Sequence, residues 1–482
     1  MHVTVRFFAT LRDQAGLEQT RLNLADDSSV AALLGRITEA HPSLEAALPH
    51  VLVAVNNKYA FPDTPLNEGD EVALFPPISG GAEGHHPPTP KDTSQATETK
   101  GQTTGADEPP FTLICTRCGE RYPHDTDLYR CTCGAAFEFA STPAFDRDAI
   151  NASDTSIWRY RATLAPRGVT PVTLGEGWTP LIGAQVDGRM IHFKLESLNP
   201  TGSFKDRGAA LLVTMLKARG VKTAHDDSSG NAGAALAAYA ARAGLAARLF
   251  VPASASPAKL AQIALYGAEL NAIEGPRSAA TVAAHEAAGA GESAYASHVY
   301  NPFSIMGYRT IAYEMWEQLG FHAPDAVIMP LGQGTQLVGV ADGFADLLKA
   351  GLIEHTPRLI GVQAEACAPL WQRMHRGDAP GETVKEGKTL AEGIRIVEPV
   401  HAGRILAAIT GSGGDIVVVS ERAIRDGLRK LAGLGISAEP TSAVVWAALK
   451  QAAEGFTRDA VIVVPITGSG YKTPNLRDLV DS

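Results

Sequence analysis

From residue 143 onward the chain repeats one pattern: a short apolar run, a turn of small residues, then a segment with helical spacing. Ala246–Val251 and Ala326–Pro330 read as strands, and Asn231–Ala243 and Ile305–Leu319 as helices, with glycine-rich turns between such runs. Strands alternating with helices predict a parallel sheet covered by helices. In such α/β arrangements ligands bind outside the C-terminal ends of the strands.

That pattern does not extend over the whole chain, which at 482 residues is too long for one ordinary core. Ala82 to Pro110 contains no Leu, Ile, Val or aromatic residue. It cannot bury enough surface to offset its ordering entropy, so residues 82–110 read as a flexible linker. Before it, residues 1–81 read as a small α+β domain. Val3, Val5 and Phe7 alternate along a first strand, and Thr20–Leu24 supplies its hairpin partner. Asp26, Asp27, Ser28 and Ser29 offer N-caps to a helix carrying Val30, Leu33, Leu34 and Ile37. Val51–Val55 and Glu71–Phe75 follow as strands, which completes the order of a β-grasp domain. Residues 111–142 hold a cysteine cluster, and 143–482 form the α/β region.

The formal net charge is −10, with 42 basic against 52 acidic side chains. An acidic chain without a basic stripe is poorly suited to a phosphate backbone, so nucleic acid is not an expected partner. The opening residues alternate polar and apolar, unlike an export signal, and no apolar run is long enough to span a bilayer. Four of the five cysteines fall between 115 and 133, a clustering that suggests metal and a reducing cytosol over a disulfide framework. Cys367 stands alone and reads as a core thiol.

The most informative segment runs from Glu196 to Gly208. Asn199-Pro-Thr-Gly202 is turn chemistry, and the residues after Gly208 read as a helix. Lys205 therefore sits near a helix N-terminus, where the dipole and free N–H groups favour a neutral amine and attract phosphate. A lysine with a depressed pKa is what Schiff-base chemistry needs. One lysine at a helix start is ordinarily a surface residue, but three further loops accompany this one. Ser228-Ser-Gly-Asn231-Ala-Gly233 opens a helix after a polar turn. Pro330-Leu-Gly-Gln-Gly-Thr335 lies between a strand-like run and a helix, where a phosphate-cradling loop belongs. Val463 to Gly470 is another strand followed by a glycine turn, with Thr467 at its end.

These segments, with GEGWTPL (175–181), NPFSIMGYRTIAYEMWEQLG (301–320) and EPTSA (439–443), resemble threonine synthase in order and spacing. The resemblance covers residues 111–482. It implies the two-domain α/β pyridoxal-phosphate fold shared with tryptophan synthase β, cysteine synthase and serine/threonine dehydratase, and a homodimer. It implies that Lys205 carries pyridoxal 5′-phosphate as a Schiff base and moves protons, and that Asn231 hydrogen-bonds the cofactor's 3-hydroxyl. Gly332, Gln333, Gly334 and Thr335 would hold its phosphate, and Thr467 would face the pyridine nitrogen. Two positions depart from the family. Threonine synthases usually read Asn-Ser-Val-Asn-Pro-x-Arg where this chain reads His298-Val-Tyr-Asn301-Pro-Phe-Ser304. The arginine that would grip a substrate phosphate is thus Ser304, leaving Arg309, Arg395, Lys194 or His298 as sources of charge.

Cys115-x2-Cys118 and Cys131-x-Cys133 place four thiols on two turns, and Gly119 and Gly134 each follow the second cysteine of a pair. The spacing suits a small zinc ribbon with a structural Zn²⁺, the alternative being buried reduced cysteines. The first domain ends in Gly80-Gly81, which resembles the tail of the ubiquitin-like sulfur carriers. That resemblance implies an adenylating or sulfur-transfer enzyme as partner and, because the chain continues past Gly81, either a processing protease or a vestigial or docking module.

Three functions follow. The first is a lyase converting O-phosphohomoserine, a small amino-acid substrate, to threonine and phosphate. The second is a β-replacement sulfhydrylase of cysteine-synthase type, fed by a thiocarboxylated carrier domain. The third is a sulfur-carrier or docking protein whose pyridoxal-phosphate domain is inactive.

Overall fold

The computed structural model describes residues 1–7, 10–26, 28–44, 48, 51–56, 58–60, 64–75, 110–255, 257–377 and 386–481. Gly80-Gly81 and the linker up to Pro109 lie outside them. The chain forms two compact units, Met1–Thr97 and Glu98–Ser482.

In the first unit, the alternation along His2–Phe7 turns Val3, Val5 and Phe7 inward. This strand pairs antiparallel with Gln19–Asn23 and parallel with Glu71–Phe75. Leu52–Val55 and Lys58–Ala60 complete a five-stranded sheet on the other side of Glu71–Phe75. The helix Val30–Ala40 buries Val30, Leu33 and Ile37, spaced as a helical face requires. This is the expected β-grasp, with a short helix Thr10–Ala15 and the edge strand Lys58–Ala60 that the sequence reading did not include.

In the second unit the alternating pattern builds two sheets, where periodicity by itself suggested one and the resemblance implied a two-domain α/β fold. The larger has the order Asp415–Val419, Arg358–Ala364, Ala326–Pro330, Ile462–Pro465, Arg189–Lys194, Leu181–Val186. It is parallel except at its last strand, which turns back at Asp187-Gly188, both with positive φ (49° and 77°). The smaller sheet, Glu269–Ile273, Ala246–Pro252, Thr223–Asp226 and Ala294–Tyr295, is wholly parallel. Periodicity tells strand from helix but does not say which strands share a sheet. No helix among the described residues is long and apolar enough to cross a membrane.

A buried ionic network anchors the segment after Lys205. Arg207 donates to Glu196 (Nε–Oε2, 2.7 Å) and to Glu314 (Nη2–Oε2, 2.8 Å), and Lys194 Nζ reaches Glu314 Oε2 at 2.6 Å. All four side chains are fully buried. Each buried charge carries a desolvation cost, which the attraction between two carboxylates and two cations at hydrogen-bond distance offsets. Asp206 turns the other way, accepting from the Thr201 N–H at 2.7 Å and from the Thr201 hydroxyl, so it fixes the Asn199–Gly202 turn. The Lys205-Asp-Arg207 triplet thus holds the lysine from both sides.

The ribbon, Leu113–Cys115, Arg121–Tyr122 and Phe137–Phe139, is a three-stranded antiparallel sheet of the same unit. Tyr129 meets Tyr295 and Tyr300 edge-on (ring centroids 5.0 and 5.5 Å apart), and Phe139 meets Phe303 at 5.0 Å. The ribbon therefore grips residues 295–303 from both ends.

Candidate active site and metal site

The helix that begins the site is Lys205–Ala218, so Lys205 is its first residue, four positions earlier than the apolar spacing suggested. Two backbone hydrogen bonds, which together make the bridge between Ser203 and Gly468, tie the lysine segment to the C-terminal turn. Phe204 N–H donates to Thr467 O (3.0 Å), and Ser469 N–H donates to Gly202 O (2.9 Å). Asn231 opens the helix Asn231–Ala243, and Thr335 opens Thr335–Lys349. Asp226, Pro330 and Pro465 each end a parallel strand, so these loops lie at strand C-termini, as expected of an α/β site.

The structure brings the candidate residues together. Lys205 Nζ lies 3.5 Å from Thr335 Oγ1. Asn231 Nδ2 donates to the carboxylate of Glu439 at 3.0 Å. Thr467 Oγ1 is 2.8 Å from Ser442 Oγ, which accepts the Gly468 N–H at 2.9 Å. Gln333 faces elsewhere with its side-chain oxygen, which accepts from Val400 N–H at 3.2 Å.

Gly334 needs to be glycine twice over. Its φ is +71°, and a Cβ there would lie 2.2 Å from Ile405 Cδ1. A Cβ on Gly332 would lie 2.9 Å from Gly393 O. The loop backbone is thereby free to approach a ligand at the N-terminus of a long helix.

Lys205 is partly exposed as a residue, yet burial of its amine lowers the pKa to about 7, against the opposing pull of the Asp226 carboxylate. Burial also raises Glu439, with Asn231 and Lys472 acting the other way. Glu439, Ser442 and Asp226 are site residues to which the sequence reading gave no role. Glu439 and Ser442 lie within EPTSA and could have been found there. Asp226 carried only the weak signal of an acid ending a strand before a polar turn.

Residues 172–468 match the family described as pyridoxal-phosphate dependent enzyme. The chain belongs to the pyridoxal-phosphate dependent enzymes. Residues 5–81 match the ThiS family, which agrees with the ubiquitin-like fold of the first unit. The threonine synthase of Methanosarcina acetivorans is 33% identical over 378 residues, covering 76% of this chain and 93% of that one. That of Mycobacterium tuberculosis is 35% identical over 320 residues, covering 64% and 86%. Among solved structures, maize serine racemase superposes with a TM-score of 0.53 at 22% identity, covering 62% of this chain and 90% of that one. A processed threonine deaminase from Solanum lycopersicum gives 0.55 at 22%, covering 63% and 82%. These two show the fold alone.

The family's cofactor suits what is present. A pyridoxal-phosphate enzyme needs a lysine that is neutral near physiological pH, and a helix N-terminus reached through glycine. Both are here. Buried polar atoms left without partners, Ser203 Oγ, Ser304 Oγ and Gln336 Nε2, lie within a few residues of these loops or in the lining of the Lys205 cavity.

The four ribbon thiols lie with their sulfurs within 4.8 Å of one another, a cluster that can hold a metal ion. Gly119 and Gly134 take positive φ (73° and 86°), turning the backbone around it as the spacing suggested. A four-thiolate donor set suits Zn²⁺. Cys367 is buried and apart from them. Cys118→Ser is expected to lower bound zinc and speed proteolysis within 111–142 while cofactor absorbance persists. Metal analysis and limited digestion of the purified chain check this.

Proposed function

We propose that this enzyme is a threonine-synthase-like lyase converting O-phosphohomoserine to threonine and phosphate. The observation that carries the reading is Lys205, a lysine of lowered pKa beside a glycine loop, in a region similar to threonine synthases over nearly their whole length. Bound there, pyridoxal phosphate would supply the electron sink that lets the substrate's Cα–H ionise. Lys205 would be the covalent anchor and would move the proton at Cα. Gly332, Gln333, Gly334 and Thr335 would offer main-chain and hydroxyl donors to the cofactor phosphate, and Asn231 would turn its amide from Glu439 toward the 3-hydroxyl. Thr467 would set a neutral hydroxyl toward the ring nitrogen, leaving it less protonated than a carboxylate would.

A second reading, a β-replacement sulfhydrylase fed by the ThiS-type domain, is favoured by the substrate end of the site. Ser304 stands where an arginine would grip phosphate. The other candidates are engaged: Arg309 with Asp342 and Asp346, Arg395 with Glu386, Lys194 with Glu314, and His298 with Asp226. Sulfur-transfer partners belong to this reading.

The deciding measurement is a steady-state assay with O-phosphohomoserine. Threonine and phosphate appearing together support the first reading. Absence of both, with sulfide- or thiocarboxylate-dependent turnover of an activated serine, supports the second.

A further inference from the structure

The cavity beside Lys205 is lined by apolar side chains, Leu212 and Leu236 among them, and by the polar Asp226, His298 and Ser304. Ser304 is fully buried and its hydroxyl has no partner among the described residues, so the cavity is suited to a polar group that those residues do not themselves provide. Asp226 is buried and its Oδ2 lies 3.2 Å from His298 Nδ1. The adjacent Asp227 is already matched by Arg277 at 3.0 Å and by the Tyr295 hydroxyl at 3.0 Å. Asp226 is therefore the carboxylate left for the imidazole. A carboxylate on Nδ1 fixes the tautomer and leaves Nε2 as a proton carrier.

We propose that His298, oriented by Asp226, is a second proton-transfer residue of this site, serving the leaving-group end of an amino-acid substrate while Lys205 serves Cα. The inference rests on reading the site as a lyase for amino acids with a side-chain leaving group. Protonated His298 gives its Nε2 proton to the leaving oxygen as the carbon–oxygen bond breaks and its electrons depart with that oxygen. Neutral His298 then takes the proton of the incoming water or thiol as the new bond to carbon forms. Lys205 returns to carbon the protons it removed from carbon. Both residues end as they began, with no change of oxidation state. His298 is the catalytic residue of the pair and Asp226 its positioning residue.

The test compares wild-type holoenzyme with His298→Gln and Asp226→Asn in deuterated water. The probes are O-phospho-L-homoserine, O-acetyl-L-serine and L-serine. Two rates are read: leaving-group release, and deuterium entry at Cα. The expected result is a fall in release of about 10²-fold or more in His298→Gln, and a smaller fall in Asp226→Asn, with Cα deuteration within about twofold of wild type. The visible absorbance of the bound cofactor stays unchanged, which separates the effect from misfolding. The proposal is overturned if release and deuteration fall together, or if neither falls. Failure of the parent reading shows in the wild type instead, as deuteration of all three probes with no leaving group released, and that result overturns both.

Discussion

Lys205→Ala is expected to lower turnover by at least ~10³-fold and to abolish the visible absorbance of lysine-bound cofactor. The size of the effect follows from the position of the amine. It lies 3.5 Å from Thr335 at the start of the helix Thr335–Lys349, and the described residues place no other lysine in the lining of the Lys205 cavity. At neutral pH an ordinary lysine is neutral in only about one molecule in 10³. Burial brings Lys205 to about 7, where roughly half the molecules carry a free amine. Because the pKa is lowered, the reactive form is lost as pH falls through about 7 and is saturated above it. Cofactor capture by the apoenzyme should therefore rise across neutrality and level off well below the pH at which an exposed lysine would. Stopped-flow absorbance against pH reads this directly. A rate still climbing near pH 10, on the order of the ordinary lysine value, would show that the amine is not desolvated.

Glu314→Ala carries the largest expected cost in stability, about 3–5 kcal/mol. The substitution leaves Arg207 and Lys194 buried with one carboxylate, Glu196, between them. The cost belongs to the orphaned charge more than to any worth of the ion pair itself, since replacing the whole network with apolar groups would be far less damaging. The network also has a pH signature. Burial alone would raise Glu314, but the Arg207 and Lys194 charges prevail and hold it at about 2. A folded pKa below the unfolded one means the stabilisation is full above the ordinary glutamate range, around pH 4.5, and is lost as pH falls toward 2. Acid unfolding of wild type and Glu314→Gln, followed by circular dichroism, should converge at low pH. Parallel curves would place the acid transition elsewhere.

Much of this site was legible in the residue pattern. Asn231–Ala243 and Ala326–Pro330 have the boundaries their turns and apolar runs suggest, because glycine and small polar residues punctuate the chain at both ends. Lys205, Asn231, Gly332, Gly334, Thr335 and Thr467 converge because each follows a strand end or opens a helix. What the pattern could not convey is long-range pairing. The division into two sheets and the Leu181–Lys194 hairpin depend on which strands meet, although Asp187-Gly188 was a turn signal in plain view. Lys194, Arg309 and Arg395 looked available as cations until the structure supplied their carboxylates. Asp226 acquires meaning only once His298, far along the chain, is placed beside it.

The aromatic grip of the ribbon on residues 295–303 has a consequence for the order of events on the ribosome. Tyr129 and Phe139 are translated well before Tyr295, Tyr300 and Phe303, so the surface that receives the His298 segment exists before the segment does. A nascent chain made in zinc-poor conditions would present that surface late or not at all. Lys205 could then be in place while Ala296 and His298 are not, so metal supply during synthesis would govern what fraction of the chains completes the cavity that these residues line.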